Sequence, residues 1–128
     1  MPSEMKIFDD EPIIVIRIWG DYDLTTELPK MVPHYLEILA KQPEPVVWIV
    51  DIESMTPDVS AIVEGANLLA RSENPLYHHP NISHVIYVST LPFIRMAVRG
   101  MQTKAFGNVN ISVANTLEDA LQEARQSG

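Results

Sequence analysis

The fold of this chain is decided by residues 45–69, PVVWIVDIESMTPDVSAIVEGANLL. Residues 46–50 are apolar without a break, and four of the five are β-branched. A short run of this composition predicts a strand that is buried on both faces of a sheet. Asp51 ends the run. Thr56-Pro57 then predicts the start of a helix, with threonine as N-cap and proline at the first helical position.

The predicted helix has an apolar stripe and a polar stripe. Residues at helical spacing form the apolar stripe, namely Val59, Ile62, Val63, Ala66 and Leu69 or Ala70. Ser60 and Glu64 lie on the opposite stripe, together with Asn67 and Arg71. We therefore expect Ser60 to face solvent in the second turn of a helix that follows a central strand. The simplest interpretation of Ser60 is a solvated helix serine, and the alternative is a serine with a functional role.

Composition predicts one soluble domain spanning residues 1–128. The chain is 46% hydrophobic and 20% charged, and it contains no cysteine, which excludes disulfides and thiolate chemistry. No apolar run approaches the ~18 residues of a membrane span. The N-terminus is polar and acidic, unlike a signal peptide. These features predict a cytoplasmic protein without a membrane partner.

The net charge of −8 is unevenly distributed. Residues 1–60 carry 12 acids and 4 bases, whereas residues 61–128 carry 5 of each, so the whole excess lies in the first half. Affinity for nucleic acid depends on many cationic contacts to phosphate, so a nucleic-acid partner is not expected. A basic protein partner or a small anion fits this charge distribution better.

The pattern along the chain predicts the order β-β-α-β-α-β-α-β-α. The predicted strands cover residues 5–8, 13–19, 46–50, 82–89 and 111–114, and the predicted helices cover 26–40, 56 onward, 91–103 and 116 onward. Strands that alternate with helices indicate a mainly parallel sheet, and the short turn at residues 9–12 makes the first pair antiparallel. The fold class is therefore α/β, with a mixed sheet of about five strands and helices packed on it.

Several segments of the chain resemble the STAS domain family, named for sulfate transporters and anti-sigma-factor antagonists. Residues 20–24, GDYDL, are similar to the family's Gly-acid-Leu-Asp segment after its second strand. Residues 58–62, DVSAI, resemble its Asp-x-Ser-Gly-Leu motif, and residues 115–124 resemble its closing helix. The resemblance spans nearly the whole chain, although each motif alone is short.

For a stand-alone member, the resemblance implies a phosphorylation switch rather than an enzyme. The partner would be a serine kinase that is itself an anti-sigma factor, and Ser60 would be the phosphorylated serine, with Asp58 beside it. Asp23 and Glu64 complete the candidate partner-binding residues. A phosphate adds roughly −1.5 to −2 charges to such an interface, and Glu64 would oppose it by a few tenths of a kcal/mol. The sequence is also compatible with a homodimer.

A second hypothesis concerns a small ligand or anion at the start of the third helix. Ser89 and Thr90 end a predicted strand, and the following helix N-terminus offers free N–H groups and the positive end of its dipole. Arg95 and Arg99 lie just behind, four residues apart on one face. Such a site would suit a sensor or carrier domain. The simpler interpretation is a capped helix with a solvated basic face.

Enzymatic and metal chemistry have the weakest sequence support. Asp51 and Asp58 could form a carboxylate pair, but Asp58 is equally explained by the positive end of a helix. His78, His79 and His84 lack the spacing of metal ligands. No nucleophile motif or glycine-rich phosphate loop is present. We expect a non-enzymatic regulatory module that needs no cofactor or metal.

Overall fold

The computed structural model describes residues 3–20, 24–55, 59–71, 76–104 and 108–127. These form five strands and four α-helices in the predicted order. The strands are β1 (Ser3–Ile7), β2 (Ile13–Ile18), β3 (Val46–Asp51), β4 (Ile82–Val88) and β5 (Ile111–Ala114). The helices are α1 (Leu24–Ala40), α2 (Val59–Arg71), α3 (Pro92–Met101) and α4 (Leu117–Ser127), with a short 3-10 helix at Leu76–His78.

The strands form one sheet in sequence order, β1-β2-β3-β4-β5, with β3 in the centre. β1 pairs antiparallel with β2, and every other pair is parallel. The predicted mixed, mainly parallel sheet is confirmed. Its parallel pairs require crossover helices because a parallel strand cannot be reached by a tight turn.

The apolar run of β3 is buried because both faces of the sheet are covered. Val46, Trp48 and Val50 face a core with α1, α2 and α3, whereas Val47 and Ile49 face a smaller core with α4. Alternate side chains of a strand point to opposite faces, so a strand between two cores has no polar position. This arrangement confirms the prediction from residues 46–50.

The predicted start of the central helix at Thr56-Pro57 lies outside the described residues. The described α2 begins at Val59, which makes Ser60 its second residue and places it in the first turn. The predicted apolar stripe is only partly buried. Ile62 and Leu69 belong to the core, but Val63 is 53% exposed, so its placement in the buried stripe is wrong.

Candidate functional site

The carboxyl ends of the parallel strands bring two of the predicted residues, and a third that was not predicted, to one edge of the sheet. Asp51 ends β3, Ser89 follows β4 and Asn115 follows β5. The N-termini of α2 and α3 start near this edge because each follows its strand by a short connection. Open α/β sheets bind ligands outside the carboxyl ends of their strands at a point where the strand order reverses, and the described strands, in the order β1-β2-β3-β4-β5, contain no such reversal.

Asp51 is buried and both of its carboxylate oxygens are engaged. Oδ2 lies 3.5 Å from Nε of Arg17, and Oδ1 accepts the backbone N–H of Glu53 at 3.1 Å. Arg17 also reaches Glu4, with 3.4 Å between Nη1 and Oε1. The carboxylate therefore links β3 to β2 and, through Arg17, to β1. Asp58, its proposed catalytic companion, lies outside the described residues.

Ser60 is exposed on α2, as its place on the polar stripe predicts. Glu64, one turn later, is exposed as well. Among the described residues of α2, Val59–Arg71, the first turn contains no acidic residue. Asp23 and Asp58, the other candidates for partner binding, lie outside the described residues.

The predicted anion site at Ser89–Arg99 is partly occupied by the protein itself. Ser89 is 1% exposed, and its Oγ accepts the N–H of Leu91 at 3.2 Å. Arg95 donates through Nη2 to the side-chain oxygen of Asn115, which links α3 to the junction of β5 and α4. Thr90 and Arg99 are exposed. These contacts favour structural roles for Ser89 and Arg95, and the anion hypothesis stays a prediction that would depend on Thr90 and Arg99.

The three histidines do not come together in one group. His78 is exposed on the 3-10 helix, and Nδ1 of His79 accepts the N–H of Asn81 at 3.0 Å. His84 lies on β4, on the side of the sheet that α4 covers. Among the described residues, no three His, Cys, Asp or Glu side chains are close enough to hold a metal ion.

A polar network that the sequence analysis missed surrounds His84. Nδ1 of its ring lies 2.9 Å from Oδ1 of Asn110, and Nε2 lies 2.9 Å from Oγ of Ser112 and 3.3 Å from Oε2 of Glu123. Ser112 also donates to Glu123. The network joins β4, β5 and α4. The sequence alone does not reveal this network, because its four residues are up to 39 positions apart in the chain.

A cavity of about 50 Å³ lies between α1, α2 and the sheet, also unpredicted. Its wall is largely apolar, and its polar groups include the hydroxyls of Tyr77 and Tyr87, which are 2.6 Å apart and hydrogen-bond to each other. Burial raises the pKa of Tyr87 to about 12. The pKa of Tyr77 is raised well above its ordinary value, mainly by burial and further by Tyr87. An engineered cavity that binds benzene measures about 150 Å³, so this one is too small for such a ligand unless α2 moves.

Filling this cavity from α2 should stabilise the protein. Gly65 lines it, and a Cβ at this position would lie 3.6 Å from Cδ2 of Leu28, an ordinary contact distance. We expect Gly65→Ala to raise the free energy of unfolding by about 1 kcal/mol or slightly more, from helix propensity and added packing. Urea unfolding measures the change.

The control is Gly100→Ala on α3, where an added Cβ has nothing within 4 Å and contributes helix propensity alone. A gain at Gly65 no larger than the gain at Gly100 would contradict the packing contribution.

The described part of the chain contains no helix long and apolar enough to cross a membrane. No protein-family profile matches the chain, and no curated protein matches it. Among solved structures it is similar to an uncharacterized protein of the DUF3478 family from Shewanella loihica PV-4, described as having a SpoIIAA-like fold. The identity is 17% and the TM-score 0.60, over 95% of this chain and 91% of that one. The chain therefore has a SpoIIAA-like fold, which is the fold of STAS domains and the one that its sequence predicts.

Proposed function

We propose that this chain is a regulatory module that binds a partner protein through the exposed side of α2. The observation that carries the proposal is the exposure of Ser60, Val63 and Glu64 together at the start of α2, on a SpoIIAA-like fold. We call these three residues the α2 face. Ser60 is the residue that matches the motif serine in the resemblance to STAS domains, and this match supports the proposal.

Apolar exposure supports a docking role for the α2 face. Val63 is 53% exposed, and Met96 on α3 is 69% exposed. α3 packs against α2 on the same side of the sheet, and Ile62 and Leu69 of α2 share a core with Ile94 and Val98 of α3. Single exposed apolar residues are common, but two large ones on neighbouring helices are what a partner could cover. Methionine suits such a surface because its flexible side chain adapts to a partner.

The finer proposal is that phosphorylation of Ser60 controls this docking, with an anti-sigma factor or serine kinase as partner. A phosphate at the second residue of α2 would lie near the positive end of the helix dipole, so the fold would tolerate it. Docking would bring the same charge against a partner surface that must be desolvated, which weakens binding. The favourable effect on the helix and the unfavourable effect on the interface are separable.

We expect Ser60→Asp to melt within a few degrees of the native protein while it loses its partner. Partner binding should weaken at least about tenfold, because a charge added to a desolvated interface costs more than about 1.4 kcal/mol. Ser60→Ala should keep the partner. The measurement is affinity capture from cells of the source organism with the immobilised native protein and both variants, followed by titration of the recovered partner.

Gln122→Glu is the matched control, since it also adds one negative charge at an exposed helical position, but on α4. It should bind the partner as the native protein does. Equal recovery of the same partners by the native, Ser60→Asp and Ser60→Ala proteins would rule out the switch.

A further inference from the structure

We propose that the free edge of β1 pairs antiparallel with β1 of a second copy of this chain, giving a two-fold dimer with one continuous ten-stranded sheet. Within the part of the chain that the structure describes, β1 is a terminal strand of the sheet and is bonded only to β2. A terminal strand presents a row of backbone donors and acceptors to any strand that can match it. The backbone pattern and the charges of β1 determine which strand can pair with it and in which register.

The backbone groups of β1 that point away from the sheet can be assigned. The N–H of Phe8 donates to the carbonyl of Ile13 at 3.0 Å, so this pair is hydrogen-bonded. Hydrogen-bonded and non-hydrogen-bonded pairs alternate along an antiparallel ladder. Glu4 and Lys6 therefore direct their backbone groups to β2, and Ser3, Met5 and Ile7 direct theirs outward. No hydrogen bond from another described residue reaches these three outward positions.

The outward groups allow only registers in which the odd-numbered residues of the two copies face each other. A two-fold axis at Met5 satisfies this condition: Met5 faces Met5 of the second copy, and Ser3 faces Ile7. In the same register Glu4 of each copy lies opposite Lys6 of the other. These opposed residues form non-hydrogen-bonded pairs, whose side chains approach most closely.

The neighbouring two-fold registers are disfavoured by like charges. An axis at Glu4 would place the two Glu4 carboxylates directly opposite each other, and an axis at Lys6 would do the same with the two ammonium groups. Like charges directly opposite each other destabilise a strand pair, whereas opposite charges contribute roughly 0.2–1 kcal/mol. Charge complementarity therefore selects the Met5 axis. Pairing uses the free edge of β1 in each copy, so the assembly is complete at two copies.

The side chains around this axis are accessible to a second copy. Glu4 is 58% exposed, and Lys6 is exposed too. On the side facing α1 to α3, Met5 is half-buried against the core and Ile7 is 43% exposed. Pairing would cover Met5 and Ile7 at the margin of that core. Five residues per strand give a small interface, so we expect micromolar rather than nanomolar affinity.

The test is sedimentation equilibrium of the full chain at about 0.15 M salt, where screening limits repulsion between two protomers of net charge −8. The native protein should show a concentration-dependent dimer. Glu4→Lys and Lys6→Glu each turn two attractive pairs into two repulsive ones, so each should raise the dimer dissociation constant about 10- to 100-fold. An equimolar mixture of the two variants should form a heterodimer, because a chain with two lysines then meets a chain with two glutamates.

The mixture shows whether a variant fails to dimerise because its β1 contact is disrupted or because it is unfolded, since only folded variants can form the heterodimer. Glu4→Lys replaces the exposed ion pair with Arg17 by a like-charge pair across β1 and β2, and each of these two effects costs less than about 1 kcal/mol at exposed positions, so the variant should fold. A native protein that stays monomeric up to about 100 μM, where a complex of micromolar affinity would form, would overturn the proposal. So would dimers that both single variants form as tightly as the native protein, or a mixture that remains monomeric.

Discussion

Trp48→Asp is expected to leave the chain without a cooperative native state. Trp48 is 1% exposed in the central strand, and its ring meets the Tyr35 ring edge-on at 5.2 Å between centroids. Removing a buried tryptophan costs about 3–5 kcal/mol, and an unpaired buried carboxylate adds several more. The sum is comparable with the whole stability of a domain, about 5–15 kcal/mol. Thermal melts followed by far-UV circular dichroism measure the outcome.

Trp19→Asp is the matched control for this substitution. Trp19 is half-buried, and the Arg17 guanidinium lies 6.0 Å from its ring centroid, so a carboxylate there would keep access to water and to a cation. We expect a loss below about 2 kcal/mol and an intact cooperative melt. If Trp48→Asp melted as cooperatively as the native protein and within a few degrees of it, β3 would not be a buried central strand.

The second large effect is expected at the paired hydroxyls of Tyr77 and Tyr87. Both side chains are buried, and their rings meet edge-on at 6.2 Å. Tyr77→Phe and Tyr87→Phe each remove one hydroxyl and leave the other buried without this partner, which costs about 1–3 kcal/mol. The double variant should lose less than the sum of the two single variants, because it removes both polar groups at once. Urea unfolding of the four proteins gives the coupling free energy.

Alkaline pH provides an independent readout of the same pair. Burial raises both pKa values above the unfolded value of about 10, with Tyr87 at about 12. Above pH 10 the unfolded chain releases protons that the native protein retains, so stability falls as pH rises, by up to about 1.4 kcal/mol per pH unit for each tyrosine. Below pH 10 both states are protonated and this contribution is constant.

The Tyr77→Phe/Tyr87→Phe variant should lose this part of the alkaline destabilisation. The native protein provides the matched comparison, because the two share every other titrating group. Equal slopes of stability against pH between 10 and 12 in both proteins would contradict the raised pKa values. Additive losses in the single variants would contradict the coupling of the two hydroxyls.

The two proposed interaction surfaces do not compete for the same residues. The β1 edge lies at the end of the sheet, whereas the α2 face belongs to the helix that follows the central strand. A dimer formed through β1 would therefore carry two copies of the α2 face. A single modification at Ser60 in each chain could then control a bivalent surface, whose avidity for a multivalent partner exceeds the affinity of either site.

Local sequence patterns alone predicted the order of elements, the central strand and the mixed sheet. The run at residues 46–50 has no polar position, and only a strand covered on both faces accommodates such a run. The exposure of Ser60 also followed from local spacing, because residues on opposite stripes of one helix face opposite environments. Such patterns depend on residues that are neighbours in the chain, so they can be recognised without knowing how the helices pack on the sheet.

Tertiary structure alone decided the features that join distant segments. Val63 belongs to the apolar stripe by spacing, yet it is half exposed because the depth of burial depends on what packs beside α2. The sequence shows no partner for Arg95, whereas the fold brings Asn115 into hydrogen-bonding contact with it. Tyr77 and Tyr87 meet only because the 3-10 helix folds back on β4. The free edge of β1 exists because none of the described strands that follow β2 pairs with it, and the order of strands across a sheet is a property of the whole chain.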